Sequence, residues 1–255
     1  MGSDLSLRLL EKIRARTPAR LLAGHSGGAY RTTTQLELRA AHAAARDAVR
    51  TDFDLQQHLG EQLIEKLGIF EAFTQAGSKD EFLLRPDLGR RLSLESQRKI
   101  ASTCARNPDF QIVIGDGLST TAVATQVPNL LPLLVQGARA RQWTLGNTFA
   151  IRFCRVGVLN DVGDLLQPRV AVLLIGERPG LATADSLSAY MAYRPKLGQT
   201  DANRNLISNI HARGIQSEEA ATRILNLAAK MMQAEISGVT IREELPTGVS
   251  GQIGS

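Results

Sequence analysis

Val170-Ala171-Val172-Leu173-Leu174-Ile175 is an unbroken apolar run rich in β-branched residues. Such a run suits a strand covered on both faces, as in a parallel sheet. It stops abruptly at Gly176-Glu177-Arg178-Pro179-Gly180. Two glycines and a proline forbid a regular continuation and bring the backbone close to whatever lies above it. In open α/β sheets, ligands sit at the carboxyl ends of strands. Glu177 and Arg178 are therefore placed where a polar ligand group or a partner surface is met.

The chain around this strand alternates between two periodicities. Ser93 is suited to cap a helix through Arg106. Phe110–Ile114 and Thr148–Phe153 read as strands, and Ser186–Tyr193 as a further one. Ser119–Gln126 and Leu130–Trp143 read as helix interrupted at Pro128, Val162–Leu166 as a short helical turn, and Ser217 to about Ile236 as a long final helix. Glu218 and Glu219 suit the positive N-terminal end of that helix. The alternation predicts an α/β fold, a Rossmann-like and mostly parallel sheet flanked by helices, over residues 93–255. Three apolar stripes precede it, within Leu5–Arg14, Thr34–Val49 and Leu55–Leu67. They predict a small N-terminal helical region over residues 1–92. The Gly-rich stretch Ala23–Tyr30 between the first two stripes reads as a connection, because no Gly-Lys-Ser/Thr follows. Leu245–Ser255 reads as a frayed end.

Aromatic residues make up 4% of the chain against 43% hydrophobic residues, so the core must be Leu, Ile, Val and Ala. No apolar run approaches the ~20 residues that span a bilayer, and Met1-Gly2-Ser3-Asp4 lacks the layout of a secretory signal. No membrane association is expected. Cys104 and Cys154 form no C-x-x-C site and read as buried free thiols of a reducing cytosol. The net charge is +5, but the basic residues are dispersed. Their densest cluster, Arg85, Arg90, Arg91, Arg98, Lys99 and Arg106, reads as a solvated face. With few aromatics to stack on bases, a nucleic-acid partner is not expected.

The chemistry-bearing residues do not assemble into a catalytic set. Gly115-Asp116-Gly117-Leu118-Ser119-Thr120 follows a strand and opens a helix, the context of a phosphate cradle. The third glycine of a dinucleotide fingerprint is absent, however, and Asp116 opposes a pyrophosphate. A tight turn capped by Ser119 is the plainer reading, and a stand-alone nucleotide-binding Rossmann-like enzyme is the alternative function. His25, His42, His58 and His211 are far apart, and none has a ligand partner at i+4. Asn209-Ile210-His211-Ala212-Arg213-Gly214 approaches the Asp-x-His-x-x-Gly motif by which some cobalamin proteins ligate cobalt. Asn209 stands where that motif has the orienting carboxylate. Asp185, Ser186, Ser188 and His211 make a triad only on paper. No metal site is expected, and the chain reads as a binding or accessory module.

Six segments taken together resemble the small subunit of ethanolamine ammonia-lyase. They are Arg85–Leu92, Asn107–Asp109, Asp116–Thr120, Gly176–Leu181, Ser186–Tyr190 and Ile207–His211, in that family's order from about Thr17 to Gly238. The resemblance implies a hetero-oligomeric, adenosylcobalamin-dependent lyase that converts ethanolamine to acetaldehyde and ammonia. It implies a TIM-barrel large subunit that carries the main catalytic residues, and none on this chain. It further implies a cytoplasmic enzyme, free or within a bacterial microcompartment. The small subunit of that family closes over part of the cofactor, whose own dimethylbenzimidazole stays on cobalt. The cobalamin contacts that the resemblance carries over are Val156, Glu177 and Leu206. Leu206 replaces a cysteine found in relatives.

Overall fold

A computed structural model describes residues 8–13, 25–180 and 184–243. The expected frayed end, the N-terminal tetrapeptide, Leu181 and parts of the first helix and of the Gly-rich stretch lie outside the described residues. The chain begins with α1 (residues 8–13) and a short hairpin, β1 (His25–Ser26) and β2 (Ala29–Tyr30). Helices α2 (Thr32–Arg50), α3 (Leu55–Leu59) and α4 (Glu61–Leu67) follow, then β3 (Phe70–Phe73), α5 (Lys79–Leu84) and α6 (Leu94–Thr103). The remainder is β4 (Phe110–Gly115), α7 (Thr120–Ala140), β5 (Phe149–Arg152), α8 (Leu159–Leu166), β6 (Val170–Gly176), β7 (Leu187–Tyr193), β8 (Asn205–Ile210) and α9 (Ser217–Ala234).

Strands β3 to β8 form one sheet in the order β3-β5-β4-β6-β7-β8. The first four are parallel, and β7 and β8 run antiparallel. Every residue of β4 and of β6 is buried, as the unbroken apolar run predicts. Alternate residues serve opposite faces. Ile112, Ile114, Val172 and Leu174 pack with residues of α7 and α9. Val113, Ile151 and Leu173 pack with Ile100 of α6 and with Leu159, Val162 and Leu166 of α8. The sheet is thus covered on both sides, which parallel strands require. No described helix is long and apolar enough to cross a membrane.

One expectation needs correction. Pro128 does not interrupt a helix, because α7 runs unbroken through both Pro128 and Pro132. A proline inside a helix costs about 3 kcal/mol. Eight buried apolar α7 residues, together contributing on the order of 10 kcal/mol by burial, outweigh that cost. The sheet is mostly parallel, as expected, while β7 pairs antiparallel with β6. Only residues 177–186 lie between them, fewer than a parallel crossover needs.

The patterning did not reveal β3 and β8. Both are edge strands, and edge strands bury less and so carry weaker signals. Strand β3 lies within the stretch 1–92 assigned to helices, and its pairing with β5 ties that stretch to the sheet. The Asn/Ser-rich β8 carries no strong strand pattern, and its polar side chains bond elsewhere. Asn205 Nδ2 donates to the carbonyls of Gly238 and Ile241 at 3.1 and 2.8 Å.

The segment before α6 is latched to α8 by a buried carboxylate. Asp161 accepts from the Leu92 amide at 2.7 Å and lies 2.9 Å from Arg91 Nε. Asp161→Ala leaves the buried Leu92 amide without its acceptor, which costs about 2 kcal/mol. Thermal denaturation should show a lowered Tm, and an unchanged Tm would contradict this role.

Candidate functional site

The carboxyl ends of β4, β5 and β6 meet around Asp116. This carboxylate is buried and accepts from the backbone amides of Phe153 and Cys154 at 2.9 and 2.8 Å. Lys79 Nζ stands 4.0 Å away. Burial pushes the Asp116 carboxyl up and the Lys79 ammonium down, and each partner opposes the other's shift. Phe153 has a left-handed backbone, φ 58°. The carboxylate thus reaches across from β4 and holds the chain as it leaves β5, directing Arg155 and Val156 outward.

Two cavities open along this edge. One, of about 380 Å³, is bounded by Leu118, Arg155, Val156, Glu177, Arg178 and Tyr190 among others. The other, of about 440 Å³, includes Arg90, Arg91, Arg155, Val156, Asp201 and Arg204. Arg155 and Val156 belong to both.

Val156 and Glu177 therefore share a wall. Val156 opens a 3-10 turn and is partly exposed. Glu177 makes no ion pair with Arg178. Its carboxylate accepts instead from Ser186 Oγ at 3.2 Å and from Ser188 Oγ, and its amide bonds the Ser186 carbonyl. Ser188 on β7 and Ser186 just before it fix its orientation, while each oxygen keeps further acceptor capacity. Leu206 sits one strand farther out. It is 46% exposed and lies opposite Tyr190 in the β7–β8 register, so the two share a sheet face. Leu206 itself does not bound the cavity that Val156 and Glu177 line.

Tyr190 was not singled out by sequence reading, although it ends a motif noticed there. Burial raises its phenol pKa, and Glu177 and Asp201 raise it further. The role of Asp116 was also missed, because its acceptor duty joins strands distant in sequence.

The glycine-rich turn offers no room for a phosphate. Leu118 N donates to the Gly176 carbonyl at 3.0 Å. A side chain at position 176 would lie 1.9 Å from the Ser119 carbonyl oxygen, so the end of β6 fills the place a pyrophosphate would take. Ser119 caps α7 as expected, accepting from the Ala122 amide at 3.1 Å. His211 is buried with both ring nitrogens engaged, Nε2 at 2.6 Å from Asn209 Oδ1 and Nδ1 accepting from the Arg213 amide at 3.3 Å. Asn209 thus serves the histidine locally. Among the described residues, no three His, Cys, Asp or Glu side chains converge as a metal site.

Comparison with known proteins now bears on this edge. The family model for the ethanolamine ammonia-lyase light chain (EutC) matches residues 8–242. The chain belongs to the ethanolamine ammonia-lyase light-chain family. Curated small subunits of the enzyme are similar along most of their length. That of Clostridium perfringens is 41% identical over 231 residues, covering 91% of this chain and 76% of the relative. That of Fusobacterium nucleatum is 38% identical with the same coverage. That of Clostridium acetobutylicum is 37% identical over 239 residues, covering 94% and 96%. Within this light-chain fold, the segments quoted for the resemblance fall mainly on the carboxyl edge just described.

Two predictions follow from the buried groups at this edge and behind it. Asp116→Ala leaves two backbone amides and Lys79 unpaired in a dry site and should cost about 3 kcal/mol. Chemical denaturation should show the loss as a lower midpoint, and a wild-type midpoint would contradict the latch. Burial pushes the Cys104 thiol up to about 11 and raises Cys154 well above its ordinary value. Both thiols are therefore protonated at pH 8, and iodoacetamide should label them only after unfolding. Rapid labelling of the native chain would contradict their burial.

Proposed function

We propose that this chain is the small subunit of a two-subunit ethanolamine ammonia-lyase and forms one wall of its adenosylcobalamin site. Family membership over nearly the whole chain supports this reading. The observation that carries it at the level of residues is the shared wall of Val156 and Glu177.

The donors present fit a corrinoid edge. Glu177 is a preoriented acceptor for the cofactor's side-chain amides or ribose hydroxyls. Val156 and Leu118 present apolar surface beside it. Leu206, on the same sheet face as Tyr190, extends that surface along β8. The replacement of a cysteine at Leu206 preserves contact through backbone or van der Waals surface but no contact that needs sulfur. Cavities of this size suit a drug-sized ligand, whereas a corrinoid with its nucleotide tail is far larger. A second subunit must supply the rest of the enclosure.

The cofactor, when bound, supplies the radical chemistry that turns ethanolamine into acetaldehyde and ammonia. This chain's residues bind the cofactor, orient it and keep water from one side of it. The large subunit holds the substrate and the main catalytic groups. His211, engaged on both nitrogens, offers no free imidazole nitrogen to the metal.

Glu177→Ala in the reconstituted two-subunit complex should weaken adenosylcobalamin binding about tenfold, the worth of one charge-assisted hydrogen bond. Its Tm should change little, since Glu177 is partly exposed. Titration monitored by the cofactor's visible absorbance measures the affinity. Equal affinity in mutant and wild type would remove Glu177 from the site, and tight NAD binding by the isolated chain would favour the stand-alone nucleotide enzyme.

A further inference from the structure

Five arginines, Arg90, Arg91, Arg155, Arg178 and Arg204, line the two cavities at the sheet edge. Two are neutralised locally. Arg91 lies 2.9 Å from Asp161, and Arg204 pairs at 2.5 Å with Asp201. Arg90, Arg155 and Arg178 have no carboxylate oxygen within 4.0 Å among the described residues.

These cations are held together by construction. The Arg155 stem crosses Gly89, where a Cβ would lie 2.8 Å from Arg155 Cγ. The Arg90 stem crosses Gly157, where a Cβ would lie 2.9 Å from Arg90 Cγ. Each glycine thus makes room for the arginine that neighbours the other glycine. The Arg155 amide donates to the Gly89 carbonyl at 2.8 Å and locks the two turns. The Arg155 guanidinium lies over the Phe82 ring at 4.3 Å and donates one bond, 3.4 Å long, to the Phe82 carbonyl. Its Nε is buried without a partner. Burial first, and then facing Arg178 and Arg90, make this guanidinium hold its proton less tightly than usual. Arginine nonetheless stays charged near neutral pH. Like charges packed this way are a cost to the free chain, and an anion relieves it.

We propose that Arg90, Arg155 and Arg178 form an anion subsite that holds the phosphodiester of the cofactor's nucleotide tail. The inference rests on the cobalamin reading of the adjoining cavity. The anion's position follows from Arg155 and Val156 being common to both cavities. A corrin edge against Val156 and Glu177 leaves the tail to run into the arginine-lined side. The phosphate of that tail is the cofactor's one fixed negative charge, and guanidinium groups match phosphate geometry.

The test compares adenosylcobalamin with adenosylcobinamide, which lacks the nucleotide and its phosphodiester linkage, on the reconstituted two-subunit complex. Wild type should bind cobalamin more tightly. Arg155→Gln and Arg90→Gln should each weaken cobalamin binding by about tenfold and leave cobinamide binding nearly unchanged. Arg90 is exposed, so its variant carries the test even if loss of the Arg155–Phe82 contact impairs folding. Equal losses for both corrinoids, or no loss for either, would overturn the subsite while leaving the cobalamin reading intact. Failure of the wild-type complex to bind either corrinoid would overturn both.

Discussion

Asp116 is a carboxylate sealed beneath the carboxyl edge of the sheet, and the backbone that leaves β5 is built around it. Its oxygens take the Phe153 and Cys154 amides. The Phe153 carbonyl accepts from Thr74 Oγ1 at 2.9 Å, and the Arg155 amide reaches Gly89. An irregular segment can be buried only if such groups are satisfied. Once they are, the chain turns through a left-handed residue and delivers Arg155 and Val156 to the surface in one orientation. Glu177 arrives at the same surface from β6, fixed by Ser188 on β7 and by Ser186 just before it. The candidate site is thus set by buried polar contacts between strand ends rather than by one flexible loop.

In the proposed reading this edge binds without doing chemistry of its own, and the serines that donate to Glu177 serve to orient it. A wall of this kind suits an enzyme whose reactive centre belongs to a cofactor and to a partner chain. Its proposed task is to hold a large ligand still and to exclude water from one side.

Much of this was legible in the sequence. The unbroken run Val170–Ile175 announced a doubly covered strand, and Gly176 and Pro179 marked where it must end. The caps Ser93 and Ser119 fell where helices start. What stayed hidden depended on long-range contacts. The Asn/Ser-rich pattern of β8 gave no strand signal, and its Asn205 bonds to a segment far along the chain. Strand β3 was too short and too near the edge to show alternation. Pro128 suggested a break that packing of α7 on the sheet and on α9 overrides. The latch at Asp116 has no local signature, since its partners leave a strand that follows an intervening helix. Val156, Glu177 and Leu206 came from the family resemblance. The folded chain brings the first two to one cavity and sets Leu206 on the adjoining strand.

The account rests on this chain forming one side of a corrinoid enclosure completed by another subunit. Amide hydrogen exchange of the reconstituted complex, with and without adenosylcobalamin, tests that claim most directly. The account predicts slower exchange on cofactor addition at residues 155–158 and 177–178, with residues 163–169 at the opposite end of the sheet unchanged. Exchange at the 155–158 and 177–178 segments that ignores the cofactor, in a complex that binds it, would contradict the account.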